Sequence, residues 1–250
     1  MRRVSFRVPA HEAEIGRARL LELVPDGFEE RDAEGDVELV AYVDRDTEAR
    51  LRTAFGDVTT APVEPGWEDR WRAFHRSVQA GGLWIGPPWE PPPEGVPAVV
   101  VDPGRAFGTG AHPTTRLCVE LLARAERGSL LDAGCGSGVV AVAGARLGFD
   151  PVHAVDVDET AVEVARETAR ANGVRVDVSR ADALRDTLPT ADLVVANIEL
   201  RAVEALLARR PAARAIVSGY LAHERPGAPG WEAVARLERD GWAADMFEAL

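Results

Sequence analysis

Hydrophobic positions in the first 63 residues alternate between the period of a strand and that of a helix. Val4, Phe6 and Val8 alternate with polar neighbours, whereas the apolar residues of 11–24 recur near helical spacing. In order, the pattern predicts a strand at 4–8, a helix at 11–24, strands at 27–31 and 36–43, a helix at 47–55 and a strand at 58–63. This β-α-β-β-α-β order predicts a small ferredoxin-like α+β domain over residues 1–63.

The next segment, residues 64–98, has a different pattern. Trp67, Trp71 and Phe74 predict a short helix with an aromatic stripe, and such a stripe packs against a neighbouring domain more often than it binds a ligand. Prolines then follow densely up to Pro97, and proline fixes φ and has no backbone N–H, so this part cannot form a regular helix. We interpret 64–98 as a linker helix followed by a proline-rich connector.

Residues 99–250 alternate short apolar strands with helices. Strands are predicted at 130–131, 152–157, 174–178, 193–196 and 215–218, and helices at 138–147, 159–171 and 200–208. This alternation predicts an α/β domain with a Rossmann-like doubly wound parallel sheet, whose ligand lies at the carboxyl ends of the strands. Only one strand fits around Gly241 and Trp242, so we expect the last antiparallel strand to be missing and one sheet edge to be unpaired.

The sequence Leu130–Gly138 runs from a strand through a glycine turn into a helix. Gly134, Gly136 and Gly138 permit a tight turn on which a cofactor can lie. Asp156, twenty residues after Gly136, ends the next strand, where it can accept both hydroxyls of a ribose. The same spacing satisfies the dinucleotide fingerprint G-x-G-x-x-G/A, so a nicotinamide-dependent oxidoreductase stays a remote alternative.

Asp132 favours a different cofactor. A dinucleotide places its pyrophosphate at this helix N-terminus, where an acidic neighbour would repel it. S-adenosyl-L-methionine has no phosphate and carries an ammonium and a sulfonium, both of which Asp132 would attract. Asp182, just after the third strand, is placed to hydrogen-bond the adenine amino group, although a plain surface loop acid is the alternative.

A second glycine-rich segment, residues 102–115, leads into a helix near Pro113. Its glycines exceed what helix capping needs, so we count Phe107 and Thr109 among the cofactor-binding candidates. For His112 we favour a capping or packing role over that of a catalytic base.

The chain has two asparagines with different expected roles. Asn172, before Gly173, has the position of a helix C-cap. Asn197 ends the fourth strand, where the transferable methyl group should point, and its side-chain oxygen could orient an acceptor amine. We predict Asn197 as the catalytic residue, with a loop cap as the alternative.

The composition limits which binding partners and which cellular compartment we expect for the protein. The formal net charge is −12, and the sequence contains arginine but no lysine. A surface with this charge repels phosphate backbones and suits a basic protein partner. The alternative is that the acidic residues only keep the chain soluble. Cys118 and Cys135 have neither metal-binding nor disulfide spacing, which indicates a reducing compartment. No apolar run could span a membrane and no signal peptide is recognisable. We therefore expect a cytoplasmic monomer without a metal.

From about Glu64 to Ser218 these segments resemble the bacterial ribosomal protein L11 methyltransferases (PrmA type). The most specific part is the loop FGTG-A-HPTT at 107–115, supported by the Trp84 and Trp89 region, the glycine turn and the sequence around Asn197. The family implies a Rossmann-like methyltransferase sheet preceded by a ferredoxin-like substrate-binding domain.

The resemblance also implies a reaction. It implies cofactor contacts at Thr115, Gly134, Asp156 and Asn197, and trimethylation of α- and lysine ε-amines on the ribosomal protein. Glu199 departs from the small or apolar residue usual in the family, and residues 1–63 match in pattern more than in sequence. Another protein or a small-molecule amine therefore stays an alternative substrate.

Overall fold

The computed structural model describes residues 2–9, 13, 16, 19–20, 23–24, 28–33, 35–62, 76–103, 108 and 110–250. The chain divides into two units, residues 1–74 and 75–250. Among the described residues, no helix is both long and apolar enough to cross a membrane.

The first unit contains a four-stranded antiparallel sheet. Its elements are β1 (Arg2–Pro9), β2 (Glu29–Ala33), β3 (Asp36–Val43), α1 (Arg45–Phe55) and β4 (Thr59–Pro62). The sheet order β2-β3-β1-β4 is the one expected of a β-α-β-β-α-β unit. Ala13, Gly16 and Leu20 are helical, within the segment predicted as a helix at 11–24. The alternating residues of β1 and β3 that point to one face form the core, in which Phe6 stacks on Phe55 with ring centroids 4.1 Å apart.

The second unit is built around a seven-stranded sheet. Its strands are β8 (Leu130–Ala133), β9 (Val152–Asp156), β10 (Asp177–Arg180), β11 (Leu193–Asn197), β12 (Arg214–Leu221), β13 (Trp231–Arg239) and β14 (Trp242–Ala249). The helices are α2 (Pro113–Arg124), α3 (Val139–Arg146), α4 (Glu159–Ala171) and α5 (Leu200–Ala208). The order is β10-β9-β8-β11-β12-β14-β13, with β8 to β12 parallel and β14 antiparallel to both its neighbours. This confirms the doubly wound sheet.

Two expectations about this sheet were wrong. The last antiparallel strand is present, because the chain after β12 forms the two strands β13 and β14 rather than one. Most of β13 is exposed or half-buried and carries charged residues, so it has no apolar run to indicate a strand. The third strand, expected at 174–178, lies at Asp177–Arg180 on the edge of the sheet.

A small second sheet precedes the large one and contains part of the predicted connector. It consists of β5 (Val78–Ala80), β6 (Leu83–Gly86) and β7 (Ala98–Val100). Residues 76–98 thus belong to the second unit, while the aromatic stripe at 67–74 lies outside the described residues. Asn172 is the C-cap of α4, as predicted, and its amide also pairs with the backbone of Val100, at 2.8 Å to the nitrogen and 2.7 Å to the oxygen. This pairing holds β7 against the end of α4.

Candidate functional site

Several of the predicted site residues lie at the carboxyl ends of the parallel strands of the large sheet. Asp156 and Asn197 are the last residues of β9 and β11, the glycine turn follows β8, and Asp182 follows β10. These strands are parallel neighbours, so their carboxyl ends meet at the same edge. Phe107 and Thr109, the two candidates from the second glycine-rich loop, lie outside the described residues.

The glycine turn is fixed by backbone hydrogen bonds to β9. The backbone nitrogens of Gly134 and Cys135 both donate to the carbonyl of Val155, at 2.9 and 3.0 Å. Gly138 starts α3 with a left-handed φ of 77°, and a Cβ there would lie 2.9 Å from the Cβ of Ala165 in α4. The last glycine of the motif therefore serves both the turn and the close packing of two helices.

Asp156 is tied to the same turn. Its Oδ2 accepts the backbone N–H of Gly136 at 2.9 Å, and its Oδ1 accepts that of Asp158 at 3.0 Å. A carboxylate has about four lone-pair directions, so two of them stay open for a ligand's hydroxyls. The carboxylate is half-buried at the strand end and held rigidly, which suits recognition of a diol.

Asp132 lies deeper than the sequence suggests. It is 2% exposed, and its Oδ2 accepts the backbone N–H of Ala141, the third residue of α3, at 3.0 Å. Burial raises its pKa to about 7, opposed by the Ala141 hydrogen bond and reinforced by the charge of Asp156. Asp132 thus caps α3 from below the glycine turn and offers no exposed contact.

Asp182 organises its own loop. Its Oδ1 accepts the backbone N–H of Leu184 at 2.8 Å, while its own N–H donates to Asp186 Oδ2 at 2.8 Å. Arg185 lies 3.5 Å away, but its side chain is 85% exposed. These bonds fit a loop acid, and an adenine contact stays a prediction.

Asn197 is joined to the start of α2. Its Nδ2 donates to Thr115 Oγ1 at 3.3 Å, and Thr115 is buried. Because this contact uses the amide nitrogen, the amide oxygen is left to act as an acceptor. The structure therefore brings the predicted Thr115 and Asn197 together across 82 residues of sequence.

His112 is the N-cap of α2, as favoured from the sequence. Its Nδ1 lies 2.7 Å from Thr114 Oγ1 and 3.4 Å from the backbone nitrogen of Thr114, which donates to it. The ring meets Trp242 edge-on with centroids 4.9 Å apart. Burial lowers the pKa of His112, so the neutral ring is favoured, as a cap that accepts a hydrogen bond requires.

Neither cysteine has the properties of a nucleophile. Cys118 and Cys135 are both buried, and burial, with the negative charge of Asp132 added to it, raises the pKa of each thiol. Thiolate chemistry needs a lowered pKa and access to solvent.

Two contacts of the site have no signal in the sequence. Ser137, inside the glycine turn, donates its hydroxyl to the carbonyl of Gly108 and so joins the two glycine-rich segments. Gly219 lies against the residue after Asn197: it has a φ of 104°, and a Cβ there would lie 2.0 Å from the carbonyl oxygen of Ile198. Only their placement in the fold reveals either contact.

Comparison with known proteins matches the family described as ribosomal protein L11 methyltransferase (PrmA), over residues 26–247. Curated proteins with the name ribosomal protein L11 methyltransferase are similar over most of the length of this chain. The one from Symbiobacterium thermophilum is 38% identical over 199 residues, covering 72% of this chain and 65% of that protein. The one from Myxococcus xanthus is 35% identical over 209 residues, covering 76% and 72%. The chain thus spans about two thirds of the length of these relatives.

A solved structure shows the same fold. The crystal structure of a ribosomal protein L11 methylase from Lactobacillus delbrueckii subsp. bulgaricus superimposes with a TM-score of 0.64 at 24% identity. The superposition covers 70% of this chain and 99% of that one.

Proposed function

Because this chain belongs to the ribosomal protein L11 methyltransferase (PrmA) family, we propose that it transfers methyl groups from S-adenosyl-L-methionine to amines of ribosomal protein L11. The acceptors are lysine ε-amines, the N-terminal α-amine, or both. The observation that carries this proposal is the placement of Asp156 and Asn197 on one sheet edge, each held by a hydrogen bond from or to another segment of the site.

The residues present fit the cofactor. The half-buried Asp156 suits the ribose hydroxyls, and Val157 and Leu184, 55% and 37% exposed, offer apolar surface for a purine beside Asp156 and Asp182. Asp132 places negative charge under the helix N-terminus, which favours a sulfonium and an ammonium and disfavours a pyrophosphate. Family membership and Asp132 both argue against the nicotinamide-dependent oxidoreductase.

The chain's own residues would mainly position the acceptor. When bound, S-adenosyl-L-methionine would supply a methyl group already activated by a sulfonium, and the leaving thioether is neutral, so no general acid is needed to protonate the leaving group. A lysine amine has a pKa of about 10.4 in water, and a site sheltered from solvent lowers it toward the neutral form that carries the lone pair. Asn197 would accept a hydrogen bond from the amine N–H through its amide oxygen, keep the lone pair in line, and leave the proton to pass to solvent.

The surroundings of the reaction are part of the proposal. We propose that the first unit docks the basic ribosomal protein, in line with the excess of acidic over basic residues in 1–63. The protein would act in the cytoplasm as a monomer, without direct contact to nucleic acid or membrane.

A methylation assay with labelled S-adenosyl-L-methionine and purified L11 tests the proposal. The wild type should label L11, and Asn197→Ala should lower kcat about 100-fold while the cofactor Kd changes less than about threefold. Asn197→Asp is the matched control, because it keeps an oxygen acceptor of the same shape, and it should retain more activity than the alanine variant. Labelling of a small-amine panel but not of L11 would move the substrate to the alternative, and unchanged turnover in Asn197→Ala would remove Asn197 from the mechanism.

A further inference from the structure

A buried polar cluster joins β12, β13 and β14 outside the residues used above. The hydroxyl of Tyr220 donates to Asp245 Oδ2 at 2.8 Å, and Arg236 Nη1 donates to the same oxygen at 2.6 Å. Tyr220 is 1% exposed, Asp245 3%, and the Arg236 side chain 17%. A buried ion pair is often no more stabilising than apolar residues of equal volume, so stability alone does not account for this cluster.

Arg236 donates its Nε to Glu238 Oε1 at 2.8 Å and uses its Nη2 on the chain that follows β12. Its Nη2 donates to the carbonyl of Ala222 at 2.7 Å and to that of Glu224 at 3.1 Å. The planar guanidinium can bind a carboxylate and two carbonyls at once, which no other side chain does in this geometry. Arg225, whose side chain is 61% exposed, donates to the same two carbonyls at 2.8 and 2.9 Å. Arg236, fixed by its buried pair with Asp245, is thus the more buried of two arginines that hold the backbone of residues 221–224, which we name the acceptor wall.

The acceptor wall lies at the same sheet edge as Asn197. Ser218 is the register partner of Asn197, and a bulge at Gly219 then places the chain against Ile198. Leu221 pairs with Trp242, whose ring contacts His112 at the start of α2. A continuous series of contacts therefore runs from Asn197 to the acceptor wall.

We propose that Arg236 is a positioning residue for the acceptor amine. It keeps residues 221–224 in the conformation that forms one side of the acceptor site, where Leu221, 40% exposed, offers apolar surface to the alkyl stem of a lysine. The inference rests on the proposed function, because it assigns part of that same site. Arg236 touches neither the amine nor the cofactor, so its effect belongs to acceptor binding.

The test compares Arg236→Met with Arg214→Met in the full chain. Arg214 is a matched control, because it begins β12 at the amino end of the strand, away from Asn197, and its side chain is 19% exposed. It likewise pairs with a carbonyl and a carboxylate, both of Glu126, at 3.2 and 3.7 Å. KM for L11, kcat, cofactor Kd and thermal stability are measured for both. We expect KM to rise about tenfold in Arg236→Met, with kcat and cofactor Kd within about twofold, and to stay unchanged in Arg214→Met.

Arg236→Lys separates positioning from mere folding. Lysine keeps the charge beside Asp245 but cannot reach both carbonyls with one rigid fork, so its KM should fall between those of wild type and Arg236→Met. Equal KM in wild type and both Arg236 variants would overturn the proposal, and so would equal losses in kcat, KM and stability in Arg236→Met and Arg214→Met.

Hydrogen exchange tests whether Arg236 holds the backbone of the acceptor wall, independently of the proposed function. The backbone amides of Ala222 and Glu224 are bonded to Gly241 and Leu221 carbonyls, so they should exchange slowly in the wild type. In Arg236→Lys, or in Arg236→Met if it folds, they should exchange about tenfold faster. A wild type that does not label L11 refutes the proposed function, whereas unchanged exchange in these variants refutes the holding role of Arg236 whatever the substrate is.

Discussion

Replacing Asp132 by asparagine removes the buried charge beneath the glycine turn without changing the side chain's shape. The asparagine oxygen can still accept the Ala141 N–H, which Asp132 accepts at 3.0 Å, so the cap of α3 survives. Asparagine cannot ionise, so the negative charge is lost. Any change in stability with pH between the two proteins therefore reports on the charge of Asp132.

The pKa of Asp132 fixes the sign and size of the effect. This pKa rises from an ordinary 3.8 to about 7 on folding, so the folded state favours the protonated acid. The protonated acid therefore adds to the free energy of unfolding below about pH 4, and this contribution is lost as the pH rises from about 4 to about 7. Relative to low pH, where Asp132 is protonated in both states, the free energy of unfolding of the wild type falls by about 1 kcal/mol at pH 4.5 and by about 4 kcal/mol at pH 8. The added N–H group of asparagine costs about 1 kcal/mol in a buried place.

Asp132→Asn should therefore match the wild type at pH 4.5 and exceed it by about 3 kcal/mol at pH 8. Denaturant unfolding without cofactor at the two pH values measures this difference. Asp192→Asn is the control of opposite sign, because hydrogen bonds from Ser129 lower the pKa of Asp192, and that variant should lose stability at pH 8. A gain of equal size at both pH values, or none at pH 8, would show that Asp132 carries no buried charge.

The same variant tests the electrostatic part of the cofactor assignment. S-adenosyl-L-methionine is a sulfonium cation, whereas S-adenosylhomocysteine has a neutral sulfur. Asp132→Asn should weaken binding of the first about tenfold more than binding of the second, as calorimetric titration of both ligands would show. An equal loss for both would separate Asp132 from the sulfonium.

Two further substitutions probe the scaffold around the site. Asn172→Leu removes two hydrogen bonds to Val100 and one of 2.8 Å to the carbonyl of Thr168, so it should lower the free energy of unfolding by about 3 kcal/mol; a loss below about 1 kcal/mol would contradict the clamp on β7. Gly219→Ala should lower both thermal stability and kcat, because its Cβ would strike the carbonyl of Ile198. Gly241 is the control: it shares the left-handed φ but has no neighbour within 4 Å, so Gly241→Ala should lower thermal stability only. Equal effects of the two substitutions would mean that backbone strain, and not the contact with Ile198, is responsible.

Segments with a strong local pattern were predictable. Helix α4 and helix α5 lie where the periodicity placed them, because apolar and charged residues there recur at helical spacing. Strand β13 was missed because an edge strand carries charged residues on exposed positions. The turn before β12 was also hidden, since Arg210 adopts a left-handed φ of 52° where a glycine would be expected.

The candidate site divides in the same way. Asp156, Asn197 and the glycine turn could be placed from sequence because each follows a recognisable strand, and parallel strands bring their carboxyl ends together. The depth of Asp132 could not, because burial depends on helices that pack over it. The Ser137 contact with Gly108 joins segments 29 residues apart, and no periodicity reports such a pairing.

This difference separates the two halves of the site. The proposed cofactor half depends on one strand, one turn and the acid that ends the next strand, so a short stretch of sequence contains it. The proposed acceptor half depends on a contact between distant segments, the bond from Asn197 to Thr115 across 82 residues. Substitutions in the second set can alter the choice of acceptor while the fold and the cofactor site stay intact. Variants of Arg236 should therefore act on acceptor KM and variants of Asp132 on the cofactor, which is a division that the two sets of measurements can test independently.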